Sequence, residues 1–290
     1  MKLVSYRHEG ADRYGAVIGD RIADLSERFG AKWPTLKAAL RADALNELAK
    51  DVVSADPTLK LGEVELLPPI IAPDKIVCVG LNYRTHIEEG GRDAPAYPML
   101  FARYADSLVG HEQKMLRPKV SRNYDFEGEL AVIIGRFAHH VPRERALDYV
   151  AGYSCFNDGS VRDYQRMTSQ FLPGKTFWRS GAFGPWLVTK DEIADVTALT
   201  LTTLLNGEVM QRAPISDLLF DIPHLISFIT SIAPLRAGDV IMTGTTGGVG
   251  AARKPPVWMK PGDRIEVDIS RVGTLANDIA DEADVPAPTE

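Results

Sequence analysis

The sequence predicts an α+β protein that is mostly β, with a small N-terminal α+β domain over residues 1–67 and a larger, mainly β domain over 68–290. Two observations carry this reading. Short apolar runs recur along the chain with Gly- and Pro-rich loops between them, which is a strand pattern and not the regular strand–helix alternation of a doubly wound sheet. The stretch LLPPIIAPDK, from Leu66 to Lys75, holds three prolines that forbid regular helix and favour an extended connector.

The N-terminal part reads as three strands, KLVSYRH, YGAVIGD and RIADL, followed by a helix from Trp33 to Ala49 with Leu36, Leu40, Leu45 and Leu48 along one stripe. Beyond the connector, strands are expected at KIVCVG, ELAVIIG, YVAGYSCFN, PWLVT, LTLTTLLNG, DVIMTG and RIEVDI. One good helix is expected around Ile222 to Ile232.

Of the 290 residues, 45% are hydrophobic and 25% charged, enough apolar side chain for a substantial core. The net charge of −6 and the lack of a basic run argue against a nucleic-acid partner. MKLVSYRHEG lacks the apolar core of a secretory signal, and no segment approaches the roughly 20 apolar residues that span a bilayer. A soluble, cytoplasmic protein without membrane contact is therefore expected. Cys78 and Cys155 lie in apolar, strand-like contexts and read as buried free thiols.

Chemistry first shows in DFEGELAVIIGR, Asp125 to Arg136. On a strand, Glu127 and Glu129 share one face, about 7 Å apart at the backbone, close enough to converge on one hard divalent cation. The same pair also fits a solvated strand edge. In SCFNDGSVRDYQ, Asp158 begins a polar turn after an apolar strand and can supply a third carboxylate, with Asp163 as a competitor. In GLNYRTHIEEGG, Thr85 and Glu88 have capping-box spacing. His86 and Glu89, three apart, fall on one face of the turn, suiting a carboxylate that orients a general-base imidazole on a short, mobile lid. Asn82 and Tyr83 in the same stretch are candidate substrate contacts. Lys175, at a Pro-Gly turn, can stabilise an oxyanion, and the loop VIMTGTTGGVG can cradle a small carboxylate. No dinucleotide fingerprint, P-loop ending or nucleophile elbow occurs.

In order from Lys75 to Asn277, these stretches together with LNGE and PGDRIEVDISRVGTLAN resemble the fumarylacetoacetate hydrolase superfamily. The resemblance implies a mixed β-roll catalytic domain, usually a homodimer, with Mg²⁺ or Mn²⁺ on Glu127, Glu129 and Asp158, so that Asp163 is not the third ligand. It makes His86 and Glu89 a water-activating dyad, Lys175, Gln165 and Arg162 polar site residues, and Thr245 the threonine whose loop contacts a substrate carboxylate. NDGSVRD replaces the commoner NDVSARD, and Thr246 stands where proline is usual. The activity expected first is metal-dependent hydrolysis of a carbon–carbon bond in a small 1,3-diketone acid of the acylpyruvate or fumarylpyruvate type. Decarboxylation or tautomerisation of an oxaloacetate-like or unsaturated oxo-diacid is the alternative, and a non-catalytic carboxylate-binding protein the third reading.

Overall fold

A computed structural model describes residues 1–91 and 93–286. Its centre is the strand Gly128–Ile134, apolar along almost its whole length and buried on both faces. Leu130, Val132 and Ile134 pack into one core with Leu201 and Val267 of a second sheet and Ile226 of the helix Ile222–Ile232. Ala131 and Ile133 face a different core, shared with Leu36, Leu40 and Leu48 from the N-terminal region. Two buried faces explain the continuous apolar run, since neither side of the strand meets water.

The main sheet has twelve strands, in an order that takes it through the molecule: Leu59–Lys60, Arg21–Asp24, Ala11–Ile18, Lys2–His8, Gly181–Thr189, Val150–Asn157, Gly128–Ile134, Val240–Thr245, Ile76–Gly80 and Met99–Ala102, with two short strands off this path. A five-stranded sheet, Glu208–Pro214, Thr200–Leu205, Arg264–Ile269, Gly273–Asp281 and Met115–Arg117, packs over one face. This is the mixed, mostly β α+β architecture expected.

Lys2–His8 pairs antiparallel with Gly181–Thr189, so hydrogen-bonded sheet runs across the position at which the sequence places a domain boundary. The helix expected from Trp33 to Ala49 is two helices, Leu36–Arg41 and Leu45–Val52. Asp43 between them takes φ 54°, a left-handed conformation that ends the first helix. Leu36, Leu40 and Leu48 nevertheless reach the core. The helix Ile222–Ile232 forms over the expected residues, with the Asp221 carboxylate accepting from the His224 N–H and Pro223 in the first turn. Both cysteines are buried and unbridged. No described helix is long and apolar enough to cross a membrane.

Candidate metal centre and active site

Strand register assembles the acidic cluster. Gly128 pairs with Asn157 across the antiparallel ladder, so the residues just beyond that pair, Glu127 and Asp158, emerge side by side. The Asp158 N–H donates to the Glu127 carbonyl at 2.8 Å, and the Glu127 N–H to the Asn157 side chain at 3.1 Å. Glu129, one ladder step inward, pairs on its other side with Thr245. Glu127, Glu129 and Asp158 are all buried, and each offers a carboxylate oxygen within 4.8 Å of the others. Gly128 is a glycine for a local reason: a Cβ there would lie 2.1 Å from the Thr203 hydroxyl of the second sheet.

Three buried cations hold this cluster. Lys175 Nζ bridges Glu127 Oε2 at 2.5 Å and Asp158 Oδ2 at 2.6 Å. Arg103 Nη1 reaches Asp158 Oδ1 at 2.5 Å and the Gly159 carbonyl at 3.0 Å. Arg162 binds Asp125 through Nε at 2.7 Å and Glu127 through Nη1 at 2.6 Å. Lys175 arrives on the turn Leu172–Lys175, which closes on the turn Arg162–Gln165 because residue 174 has no side chain; a Cβ would sit 2.5 Å from the Gln165 Cα.

The charges are unevenly answered. Burial alone would raise the Glu127 carboxyl, but Lys175 and Arg162 outweigh it and hold it at about 2. Burial, then the charges of Asp158 and Glu127, push Glu129 well above the carboxylate range. Among the described residues Glu129 has no cationic partner, only the Gly244 N–H at 2.8 Å. With Glu129 protonated, Asp125, Glu127 and Asp158 balance Arg103, Arg162 and Lys175; ionised, Glu129 would add one unanswered negative charge in a buried volume. Three converging hard oxygen donors, one of them lacking a counter-charge, fit a divalent cation such as Mg²⁺ or Mn²⁺.

A cavity of ≈ 280 Å³ opens beside the triad. His86, Glu89, Arg162, Gln165, Lys175 and Thr245 line it together with Glu127 and Glu129. His86 Nδ1 lies 3.4 Å from Glu89 Oε2, while Glu89 Oε1 accepts from the Gly248 N–H at 2.9 Å. Burial opposes ionisation of Glu89, yet His86 and Gly248 hold its carboxyl below the usual value. Gln165 Oε1 accepts from Arg162 Nη1 at 2.9 Å. The Thr245 hydroxyl donates to the Gly128 carbonyl and accepts from Gln211 Nε2, both at 2.8 Å.

The other expected residues stand apart from the cavity. Asn82 and Tyr83 do not line the cavity. The Asn82 carboxamide is wholly engaged with backbone, donating to the carbonyls of Phe220 and Thr243 and accepting from the Phe220 N–H, and Tyr83 is buried as the residue preceding the helix Arg84–Glu89. Both anchor that helix. Thr85 is not its cap: its hydroxyl pairs with Asp217 and Thr246 instead. Asp163 lies away from the triad and accepts from the Ser121 hydroxyl. Three partners escaped the sequence reading: Arg103, Asp125 and Gln211. Asp125 carries a signal, as a third acid within five residues of an apolar run, and Gln211 is an inward polar position on an alternating strand. Arg103 follows MLFA with nothing local to mark it.

Residues 75–280 match the protein family described as fumarylacetoacetate (FAA) hydrolase C-terminal. The chain is 38% identical over 289 residues to a mitochondrial oxaloacetate tautomerase of Homo sapiens, covering 96% of this chain and 91% of the relative. Among solved structures, the fumarylacetoacetate hydrolase of Exiguobacterium antarcticum superposes with a TM-score of 0.87 at 32% identity, covering 97% of this chain and 100% of that one. A maleylpyruvate hydrolase from Sphingobium sp. SYK-6, solved with manganese(II) and pyruvate, gives 0.81 at 30% identity, over 97% and 99% of the two chains.

Proposed function

This chain belongs to the fumarylacetoacetate hydrolase family, and on that premise we propose that it catalyses oxo–enol tautomerisation of a small dicarboxylic 2-oxo acid of the oxaloacetate kind. The observation that carries the reading is a proton-transfer pair, His86 and Glu89, lining the same small cavity as the carboxylate triad and its lysine. The relationship to a named oxaloacetate tautomerase over nearly the whole chain supports the same choice. Carbon–carbon bond hydrolysis, the first expectation from sequence, becomes the second reading.

Glu127, Glu129 and Asp158 would hold the cation, Mg²⁺ or Mn²⁺. Bound there, it supplies a Lewis acid that lowers the cost of enolate charge on the oxo acid. The protein supplies the proton path. Glu89 accepts from imidazole Nδ1–H, which leaves Nε2 as the basic atom and makes His86 the group that takes a proton from carbon and returns it to oxygen. Lys175 and Arg162 are ion-paired at the cavity base, and the Arg162 Nη2, without a partner among the described residues, is a donor there for developing enolate charge. Val79, Leu81, Phe101 and Phe171 give one side of the cavity an apolar wall. The second reading keeps every residue in place but has His86 deprotonate a water; the maleylpyruvate hydrolase relative favours it.

Product identification separates these readings. With Mn²⁺, oxaloacetate enol followed by ultraviolet absorbance should convert to the oxo form faster with enzyme, His86→Ala should lose at least about a hundredfold of that rate, and chelation should abolish it. Release of carbon dioxide would assign decarboxylation, and cleavage of acylpyruvates without tautomerisation would assign hydrolysis. Binding of oxo acids with no turnover of any of them would leave only a carboxylate-binding protein.

A further inference from the structure

One helical face lining the cavity holds a cation that the mechanism above does not use. The turn Arg162–Gln165 is followed by Arg166, still in helical backbone conformation. Positions 162, 165 and 166 stand at i, i+3 and i+4, the spacing that puts side chains on one face. All three line the cavity, at increasing distance from its base: Arg162 is buried, Gln165 half-buried and Arg166 exposed.

The two guanidinium groups differ in what they are free to do. Arg162 is committed through Nε and Nη1 to Asp125 and Glu127 and keeps only the buried Nη2 without a partner among the described residues, and Lys175, the other cation at the base, is committed to Glu127 and Asp158. Glu89, the acid nearest the opening, is taken by His86 and the Gly248 N–H. Arg166 has no carboxylate partner and no side-chain hydrogen bond among the described residues. An unpaired guanidinium at the mouth, one turn or about 6 Å along the axis from the base, presents the planar donor fork that a carboxylate matches bidentately.

We infer that Arg166 binds the distal carboxylate of the substrate and makes the site selective for dicarboxylic over monocarboxylic 2-oxo acids. The inference rests on the function proposed above and narrows it, because the triad and His86 act on the oxo-acid end that both classes share. Arg166 is then a specificity-determining residue whose contact affects binding of one class and leaves the proton transfer alone.

The test compares oxaloacetate with pyruvate on the Mn²⁺-loaded protein and on Arg166→Gln and Arg166→Lys. Oxaloacetate is followed by enol absorbance, and pyruvate by deuterium exchange of its methyl protons. In Arg166→Gln, KM for oxaloacetate should rise by about tenfold or more, as loss of a hydrogen bond to a charged group implies, while kcat stays within about threefold and pyruvate exchange is essentially unchanged. Arg166→Lys should recover part of the loss, because charge returns without the fork. An equal loss for both acids, or none for either, overturns the inference. Calorimetric titration of the two acids reads the same contact without turnover. If no oxo acid is turned over but Arg166→Gln weakens oxaloacetate binding alone, the proposed function fails and the carboxylate contact stands.

Discussion

Glu127 and Glu129 stand one residue apart, yet their surroundings push their carboxyl groups in opposite directions. Glu127 shares two cations and is ionised down to about pH 2, whereas Glu129, buried with two like charges and with no cation paired to it among the described residues, holds its proton well above the carboxylate range. A divalent cation entering the triad must displace that proton. Proton and metal compete for the same oxygens, so lowering the pH favours the proton and weakens the metal. Affinity for Mn²⁺ should rise with pH, and calorimetry in buffers of different ionisation heat should show proton release on binding; pH-independent affinity with no release would contradict the charge assignment. Arg103 makes the second residue-level prediction. Its side chain and that of Asp158 are both fully buried, and removing it leaves Asp158 only Lys175, which Glu127 shares. Arg103→Gln should cost about 1–3 kcal/mol by urea denaturation, and adding Asp158→Asn should cost less than the sum of the two single changes.

At the scale of elements, the helix Arg84–Glu89 decides whether the His86–Glu89 pair is in place. Six residues do not sustain a helix alone, so tertiary ties must hold it. Those ties are specific: the Thr85 N–H and hydroxyl donate to Asp217 at 3.3 and 2.9 Å, the Thr85 and Thr246 hydroxyls meet at 3.1 Å, and Glu89 takes the Gly248 N–H. Thr246, where the family usually has proline, thus supplies one of the links. Thr246→Val should speed hydrogen exchange across residues 84–89 and lower kcat several-fold, with global stability changed by no more than about 1 kcal/mol; unchanged exchange would show that the hydroxyl pair holds nothing. A second element-level contact joins the two sheets at Gly128, whose missing Cβ makes room for Thr203. Gly128→Ala should destabilise by about 1–3 kcal/mol through overpacking. Thr203→Ala in the same chain should return much of it, since the Thr203 hydroxyl is buried without a partner among the described residues.

For the whole molecule, sequence was informative where a local pattern reported burial and silent where partners were chosen across the fold. ELAVIIG and VIMTG read as strands because nothing polar interrupts them, and Glu127, Glu129 and Asp158 stood out because acids at the ends of apolar strands require a reason. Arg103 and Gln211 did not stand out, because their roles depend on register between distant strands. The same limit hid the pairing of Lys2–His8 with Gly181–Thr189, which joins N-terminal strands to the large sheet. Pairing also leaves one end of the large sheet open. Among the described residues Met99–Ala102 bonds only to Ile76–Gly80, its sequence MLFA carries no charge, and Tyr97, Met99 and Tyr104 are exposed around it. An uncharged edge with apolar neighbours is a template for another strand, and two copies meeting there by a two-fold axis would pair their edges isologously. The homodimer implied by the family resemblance is accordingly proposed to form along this edge. Phe101, on the same strand, lines the cavity, so the partner would lie next to the site. Light scattering after gel filtration should give twice the chain mass of 31.8 kDa, and Met99→Lys, which adds charge to the edge without entering the core, should shift the mass toward one chain. A wild-type mass of one chain would sink the proposal, and a dimer indifferent to charge at Met99 would move the interface elsewhere.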